Sequence, residues 1–459
     1  MSLVLVAAAT IALAACTPTR PAPTSGPPSS AGDSITGVGP SAPSVTSPPP
    51  ATSARPTSST EPGGPFASAG SIVLVGNDGS LSLVDATGRM SVLASADEGL
   101  LGFPAWSPDA SHIAAISYDG TDDTILVFDA PGAAAGQPLE PVAIFRSPVI
   151  GPFYLSWTPD GRAVSFLANE AGDLSLRIAP ADGSAPLDGS GPGATIRSGS
   201  PFYYDWLGRD RLLAHVGSGP DALLGEIDLH GVATAPALDS PGDFRSAVVS
   251  HDRAYISYVR LAAGGSAEVV VAARDGSGEH AIPVFGTAAV AFDPVGHTIA
   301  SIGPSEPAQP SFGFPVGALR LIDAETGQAR TLLGGSVVSF WWSPDGATIA
   351  ALRVQAVADS TASLGSTSAA QATQVRLLFV DLASGEVEAQ AVVQPGQRFL
   401  DQLLPYFDQY ALSHQLWAPD SSSFLLPVVA QGGATRVAVM FRNGDPTAFL
   451  EGVIGFWSP

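Results

Sequence analysis

This 459-residue chain predicts an all-β fold, an eight-bladed β-propeller, on three observations. Its tryptophans recur in one local context at blade-sized intervals. Short apolar runs broken by Asp, Gly and Pro follow them, and the two chain ends carry complementary fractions of one repeat. The anchors read Trp106-Ser107-Pro108-Asp109, Trp157-Thr158-Pro159-Asp160-Gly161, Trp206, Trp342-Ser343-Pro344-Asp345-Gly346, Trp417-Ala418-Pro419-Asp420 and Trp457-Ser458-Pro459, with Trp341 beside Trp342. Two worn copies, Val249-Ser250-His251-Asp252 and Phe292-Asp293-Pro294-Val295-Gly296, fill the long gap. Successive anchors lie 51, 49, 43, 43, 50, 75 and 40 residues apart. Self-similarity at about 40–50 residues is the mark of a propeller or another repeat array.

Each repeat reads as four strands, A to D. Strand A ends at the anchor. Strand B is an apolar run such as residues 112–117, 163–167 or 348–352, and strand C tends to end in Asp, as at Asp129, Asp323 and Asp381. Strand D is a short run such as 329–333. Apolar runs of this length between turn residues are strand signals. In the A–B turn, Pro presets φ, Asp bonds nearby backbone and Gly accepts positive φ. The Trp suits an apolar wedge between neighbouring sheets, with its indole N–H expected at a wet edge. Trp106, Trp157, Trp206, Trp342, Trp417 and Trp457 are therefore read as structural.

The ends define how the array closes. Before Trp106, residues 71–75, 81–85 and 90–94 have the B, C and D pattern without an A strand. At the other end, residues 453–459 form an A strand with nothing after it. Pairing the C-terminal A strand with the N-terminal B, C and D strands completes one mixed blade and removes an open edge. The anchors count eight blades, or seven if the degenerate units around 207–292 are read as fewer.

Trp342-Ser343-Pro344-Asp345-Gly346, the Ile349-Ala350 run after it and the strand ending at Asp381 resemble the TolB-type propeller repeat. That repeat also occurs in the propellers of prolyl-oligopeptidase-like enzymes. The resemblance covers residues 70–459, most clearly 101–167 and 337–381 and most weakly 207–296. It implies a β-propeller and no particular activity, because this scaffold hosts many functions. TolB carries an α/β domain ahead of its propeller, where this chain has a Pro-rich stretch, so that family's partner-binding residues are not carried over.

The only cysteine is Cys16, preceded by Leu13-Ala14-Ala15 and an apolar run from Leu3. This resembles the lipobox of bacterial lipoproteins, in which the cysteine takes a diacylglycerol and becomes the new N-terminus. The apolar run has signal-peptide size and is too short to cross a hydrocarbon core of about 30 Å. No Lys or Arg precedes it, a departure from the usual pattern. Residues 1–16 are thus expected to be a signal peptide ending in the lipidated Cys16. Residues 17–69 read as a disordered linker, since 17–68 hold 13 prolines among Ser, Thr, Gly and Ala. The propeller occupies 70–459. The expected address is extracytoplasmic, on the membrane through the lipid, and the expected state is monomeric.

The formal charge is −22, from 42 acidic residues against 20 arginines, with no lysine. Such a field repels a duplex phosphate backbone, so nucleic acid is excluded as a partner. The absence of lysine removes P-loop and Schiff-base chemistry. The single cysteine leaves no disulfide or thiolate metal site. No nucleophile elbow, His-Glu-x-x-His pair or EF-hand loop occurs, and the seven histidines (His112, His215, His230, His251, His280, His297, His414) show no ligand spacing. No metal or cofactor is expected. The Asp residues ending C strands (Asp85, Asp129, Asp228, Asp323, Asp381) are expected to bond turn amides.

Function is sought where the repeats swell. Insertions at 303–317, 355–374 and 394–415 fall in B–C, B–C and D–A connections, which share one side of the ring. Per-repeat insertions on one side often mark a binding surface. Phe312, Phe314, Phe399, Tyr406, Phe407 and Tyr410 lie in these insertions, and Phe153, Tyr154, Tyr203 and Tyr204 lie in other D–A segments. Together they form a candidate aromatic binding rim. Residues 397–414 have near-helical apolar spacing interrupted by Pro405, which predicts short helical turns, either a local plug on blades seven and eight or a partner contact. The reading is a non-catalytic binding module for an envelope protein or small ligand. The alternatives are an extracytoplasmic hydrolase or lyase acting on glycans or peptides, and an accessory subunit of an envelope transporter.

Overall fold

The computed structural model describes residues 70–459 except 131–139, 171, 191–193, 219–221, 236–237, 239–246, 262–266, 305–314, 355–374, 431 and 446. Cys16, the 17–69 stretch, Phe312, Phe314 and the 355–374 insertion lie outside the described residues.

The described fold is almost entirely antiparallel β. Along the chain come β1 (Ile72–Val75), β2 (Leu81–Val84) and β3 (Met90–Ala94), then a four-stranded sheet of β4 (Leu100–Trp106), β5 (His112–Tyr118), β6 (Asp123–Asp129) and β7 (Val142–Ser147). The next sheet holds β8 (Gly151–Trp157), β9 (Ala163–Glu170), β10 (Asp173–Pro180) and β11 (Thr195–Ser198). A three-stranded sheet follows, with β12 (Phe202–Trp206), β13 (Arg211–Val216) and β14 (Leu223–Asp228), then β15 (Val248–Val249), β16 (Tyr255–Leu261), β17 (Ala267–Ala273) and β18 (His280–Val284). One seven-stranded sheet contains β19 (Ala289–Phe292), β20 (Thr298–Gly303), β21 (Gly317–Asp323), β22 (Ala329–Trp342), β23 (Thr348–Val354), β24 (Val375–Asp381) and β25 (Val387–Val393). The last elements are β26 (Ser423–Val429), β27 (Thr435–Phe441), β28 (Ala448–Glu451) and β29 (Ile454–Trp457).

The final strand does not extend the β26–β28 sheet. It pairs antiparallel with β1, Ile72 opposite Trp457 and Val75 opposite Ile454, giving the order β29-β1-β2-β3. Near the join, the Ser458 N–H donates to the Ser71 carbonyl and the Ser458 Oγ accepts from the Ser71 N–H. One element departs from the expectation of separate D and A strands. β22 runs unbroken for 14 residues through both positions, with Gly335 at φ 93° and Val337 paired to Gly317 on one side and Arg353 on the other. No connecting loop was needed, because two glycines let the chain bend without leaving the sheet.

The B strands are buried through and through rather than on alternate residues: Ile113, Ala114, Ala115 and Ile116 are all at 0% exposure. Sheets cover both faces, so the strands read as continuous apolar runs, and alanines admit close approach. The same Ile-Ala pattern is buried at Ile299-Ala300 and Ile349-Ala350. Successive sheets pack on one another through β1 on β4, β4 on β8, β12 on β15, β15 on β19 and β26 on β29.

The A–B turns share one hydrogen-bond scheme. In the first, the Ser107 hydroxyl donates to Asp109 Oδ1 and accepts the His112 N–H, while the Ala110 N–H donates to the Ser107 carbonyl. Thr158–Asp160, Ser250–Asp252 and Ser343–Asp345 repeat the hydroxyl-to-carboxylate bond. The fourth turn residue has positive φ whether or not it is glycine: Ala110 57°, Gly161 68°, Arg253 64°, Gly346 67°, Ser421 59°.

Candidate functional site

The tryptophans link one sheet to the next. The Trp157 indole N–H donates to the Ala105 carbonyl at 2.9 Å, Trp342 to Ala291 at 3.2 Å and Trp417 to Trp341 at 3.0 Å. Trp206 donates to the Ser156 hydroxyl at 3.3 Å. In each case the acceptor belongs to the residue just before the preceding anchor. Trp106 continues the rule across the two ends of the chain, donating to the Phe456 carbonyl at 3.2 Å. These N–H groups therefore do not sit at a wet edge. Four of them bond strand carbonyls, and the Trp206 N–H bonds a strand hydroxyl.

Apart from a single 3-10 turn at Ala96–Glu98, the helical turns among the described residues lie in the 394–415 insertion. It holds a π-helical turn Phe399–Leu403, a 3-10 turn Leu404–Tyr406 and α1 (Phe407–Tyr410), consistent with the turns expected around Pro405. It is a plug with a wider reach than blades seven and eight. Tyr410 meets Phe103 on β4 and Tyr154 on β8, Tyr406 meets Tyr203 on β12, and Phe407 meets Phe340 and Trp341 on β22. His414 meets Phe456 on β29. The plug thus sits where the first strands of several sheets converge.

Gln409 is its polar pin. Its side-chain N–H₂ donates to the Tyr154 hydroxyl at 2.7 Å and the Tyr204 carbonyl at 2.9 Å, and its Oε1 accepts the Tyr204 N–H at 3.3 Å. The carboxamide pairs with one backbone edge as a neighbouring strand would. The Tyr154 hydroxyl in turn donates to the Gln409 carbonyl. Phe103 and Tyr154, each three residues before an anchor, have φ of 51° and 47° at register shifts of β4 and β8. The shared phase is the signal that sequence reading passed over: position −3 from the anchor meets the plug, and Tyr203 and His414 occupy it too.

This packing narrows the aromatic rim. Phe399, Phe407, Tyr410, Tyr154, Tyr203 and Tyr204 are buried against one another and against the sheets, so they hold the plug and are not open to a partner. Phe153 is half-buried, while Tyr406 is 37% and Leu412 38% exposed. The reason is chemical: seven or eight converging strands leave a gap that only large apolar side chains fill, so aromatic clustering there served packing first.

Burial perturbs the charges nearby. Asp205 on β12 is raised to about 6 by desolvation, partly offset by N–H donors from Val249 and Trp206. Desolvation pulls His215 down to about 4 and His414 to about 3, and pushes the Tyr154 phenol up. The turn aspartates behave as expected at Asp85, Asp228, Asp323 and Asp381, whose carboxylates accept turn amides. Asp129 differs, lying 3.3 Å from His112 Nε2. Ser111 Oγ is 2.6 Å from His112 Nδ1, which completes a Ser–His–Asp chain. The Ser111 hydroxyl also donates to Asp109, and His112 and Asp129 are 42% and 59% exposed. Among the described residues no group of three His, Cys, Asp or Glu could hold a metal ion.

No protein-family model matches the chain, and no curated protein matches it. Solved structures do. One from a study of two prolyl endopeptidases aligns with a TM-score of 0.51 at 9% identity, over 76% of this chain and 49% of that one. TolB from Acinetobacter baumannii aligns at 0.35 and 15% identity, over 70% of this chain and 66% of that one. A putative TolB from Agrobacterium tumefaciens aligns at 0.34 and 20%, over 60% and 94%. The chain spans about half the length of the endopeptidase chain and less than two thirds of the Acinetobacter TolB. At such identities the likeness is one of fold: a mostly β, propeller-like architecture.

Proposed function

We propose that this chain is a lipid-anchored, extracytoplasmic protein whose eight-bladed propeller is a non-catalytic binding module of the cell envelope. The eight-unit count is supported by eight anchors and by dividing the seven-stranded sheet at Gly335 into two units that share β22. Closure by the terminal strand is supported by the β29–β1 register and by the Trp106–Phe456 link, which repeats the inter-sheet bond. Leu13-Ala14-Ala15-Cys16 supports the anchor.

One observation carries the binding reading. The plug fills the point where the strands converge, with Phe399, Phe407, Gln409 and His414 each at or below 4% exposure, so the place a central substrate would take is occupied by the chain itself. Outward the plug exposes Tyr406 and Leu412 among the polar Gln397, Arg398, Asp401 and Gln402, an amphipathic surface suited to a protein segment. Photo-crosslinking in intact cells, with full-length protein and a Tyr406→Ala/Leu412→Asp variant, tests this. A defined envelope partner that cross-links to wild type and is lost in the variant is expected, and equal yields would refute the surface. Cys16→Ala should abolish metabolic labelling by an alkyne fatty acid, and no labelling of wild type would refute the anchor.

The hydrolase or lyase reading has one arrangement in its favour, the Ser111–His112–Asp129 chain. Its solvent exposure and the competing Ser111–Asp109 bond disfavour an activated nucleophile. Ester or peptide hydrolysis lost in Ser111→Ala would reverse the preference.

A further inference from the structure

We propose that the 397–414 plug is an acid-operated latch, held shut by a neutral His414 and released when that ring takes up a proton. The inference rests on the plug's docking and is independent of the envelope-binding reading.

His414 lies at the plug's end, 2% exposed, its ring 4.7 Å from Phe456, 5.1 Å from Tyr410 and 6.2 Å from Tyr154. Nδ1 is 2.7 Å from the Ser413 hydroxyl, and Nε2 has no hydrogen-bond partner among the described residues. A neutral ring that accepts the Ser413 hydroxyl at Nδ1 carries its hydrogen on Nε2. A second proton would turn Nδ1 into a donor, remove the acceptor that the Ser413 hydroxyl uses and place a full positive charge on a ring only 2% exposed.

The surroundings give that proton no help. β8 presents the Tyr154 phenol, α1 presents Tyr410 and β29 presents Phe456. Asp408 and Asp205 are felt by Tyr154, but burial alone accounts for the position of His414. Arg398 lines a neighbouring slot of about 10 Å³ with Phe103, Tyr410 and Phe456, room for about one water.

Undocking returns the ring to water and to its ordinary pKa of about 6.5, whereas the docked ring resists protonation until about 3. Docking is therefore fully favourable above 6.5 and is lost progressively as pH falls. Between pH 7.5 and 5 the opening equilibrium rises by about 30-fold. The uncovered surface would be the aromatic lining of Tyr154, Tyr204, Phe340, Trp341 and Phe456.

Hydrogen–deuterium exchange of the full chain at pH 7.5, 6 and 5, corrected for intrinsic rates, reads this directly. Protection of amides in 399–411 should fall about 30-fold across the range. His215 on β13 is also buried and neutral, so acid weakens the whole molecule as well, and β5 and β23 should lose some protection while staying better protected than the plug at every pH. Plug and strand amides with the same opening free energy at each pH would mean global opening and would overturn the latch, as would plug protection that ignores pH. His414→Phe keeps a ring in the cage and should flatten the plug's pH profile; an unchanged profile would also overturn it. If that variant does not fold, the wild-type profile alone decides.

Discussion

The well-marked repeats around Trp106, Trp157 and Trp342 and the worn repeat at Val249 build the same turn but join their sheets differently. Ser250-His251-Asp252-Arg253 reproduces the hydroxyl–carboxylate turn of Ser107-Pro108-Asp109-Ala110 without proline or glycine. The link between sheets diverges. In the marked repeats an indole N–H reaches a backbone carbonyl. Where Val249 replaces Trp, the later repeat still donates but the groups exchange roles: the backbone N–H of Val249 donates to the Asp205 carboxylate of the preceding sheet. Beyond it, the His297 ring bridges Asp252 and Glu325, and Arg274 pairs in two bonds with Glu226. Around Val249, links through titratable groups thus stand where the marked repeats use an indole bond.

The largest effect that could break this contrast comes from an indole. Trp157→Ala should cost about 3–5 kcal/mol through lost packing, and Trp157→Phe about 1–2 kcal/mol for the orphaned Ala105 carbonyl. Val249→Ala, at the equivalent worn position, should cost less than about 1.5 kcal/mol. Urea denaturation measures all three, and equal costs would erase the distinction.

A pH scan sharpens it further. Asp205 is raised above its unfolded value of 3.8 to about 6, so its contribution is greatest below pH 4 and is lost as pH rises through 6. Relative to Asp205→Asn, the wild type should lose about 1–2 kcal/mol between pH 4 and 7, allowing for residual screening of a half-buried group. Parallel profiles for the two proteins would remove Asp205 from the account. The smallest effect tests the turns. A Cβ on Gly161 would meet only Pro108 Cδ, at 3.9 Å, so Gly161→Ala reports conformation alone. It should cost about 1 kcal/mol, and Arg253→Gly should change stability by a few tenths of that or stabilise.

Much of the architecture was legible because it is written in short-range signals. Turn chemistry marked the anchors even where the Trp had gone, as at Val249 and Phe292, and the unmatched strand at 453–459 pointed to its partner near Ile72. The continuous β22 was not legible, since Gly334-Gly335 reads equally well as a loop or a bend. The plug's turns could be read from the spacing of Phe399, Leu403, Phe407 and Tyr410, but its destination could not. Whether an aromatic stripe faces solvent or sheets some 200 residues distant, as Gln409 faces Tyr204, is decided by tertiary convergence. The indole acceptors were hidden for the same reason: a carbonyl about 50 residues away leaves no mark in composition.

The central claim is that β4 and β29 are joined by the same indole bond that joins interior sheets. The most direct test is the exchange of the Trp106 and Trp157 indole protons, followed by NMR together with the β1 amides. Trp106 and β1 should exchange as slowly as Trp157 and β9. Rapid exchange at Trp106 and β1 with Trp157 still protected would contradict it.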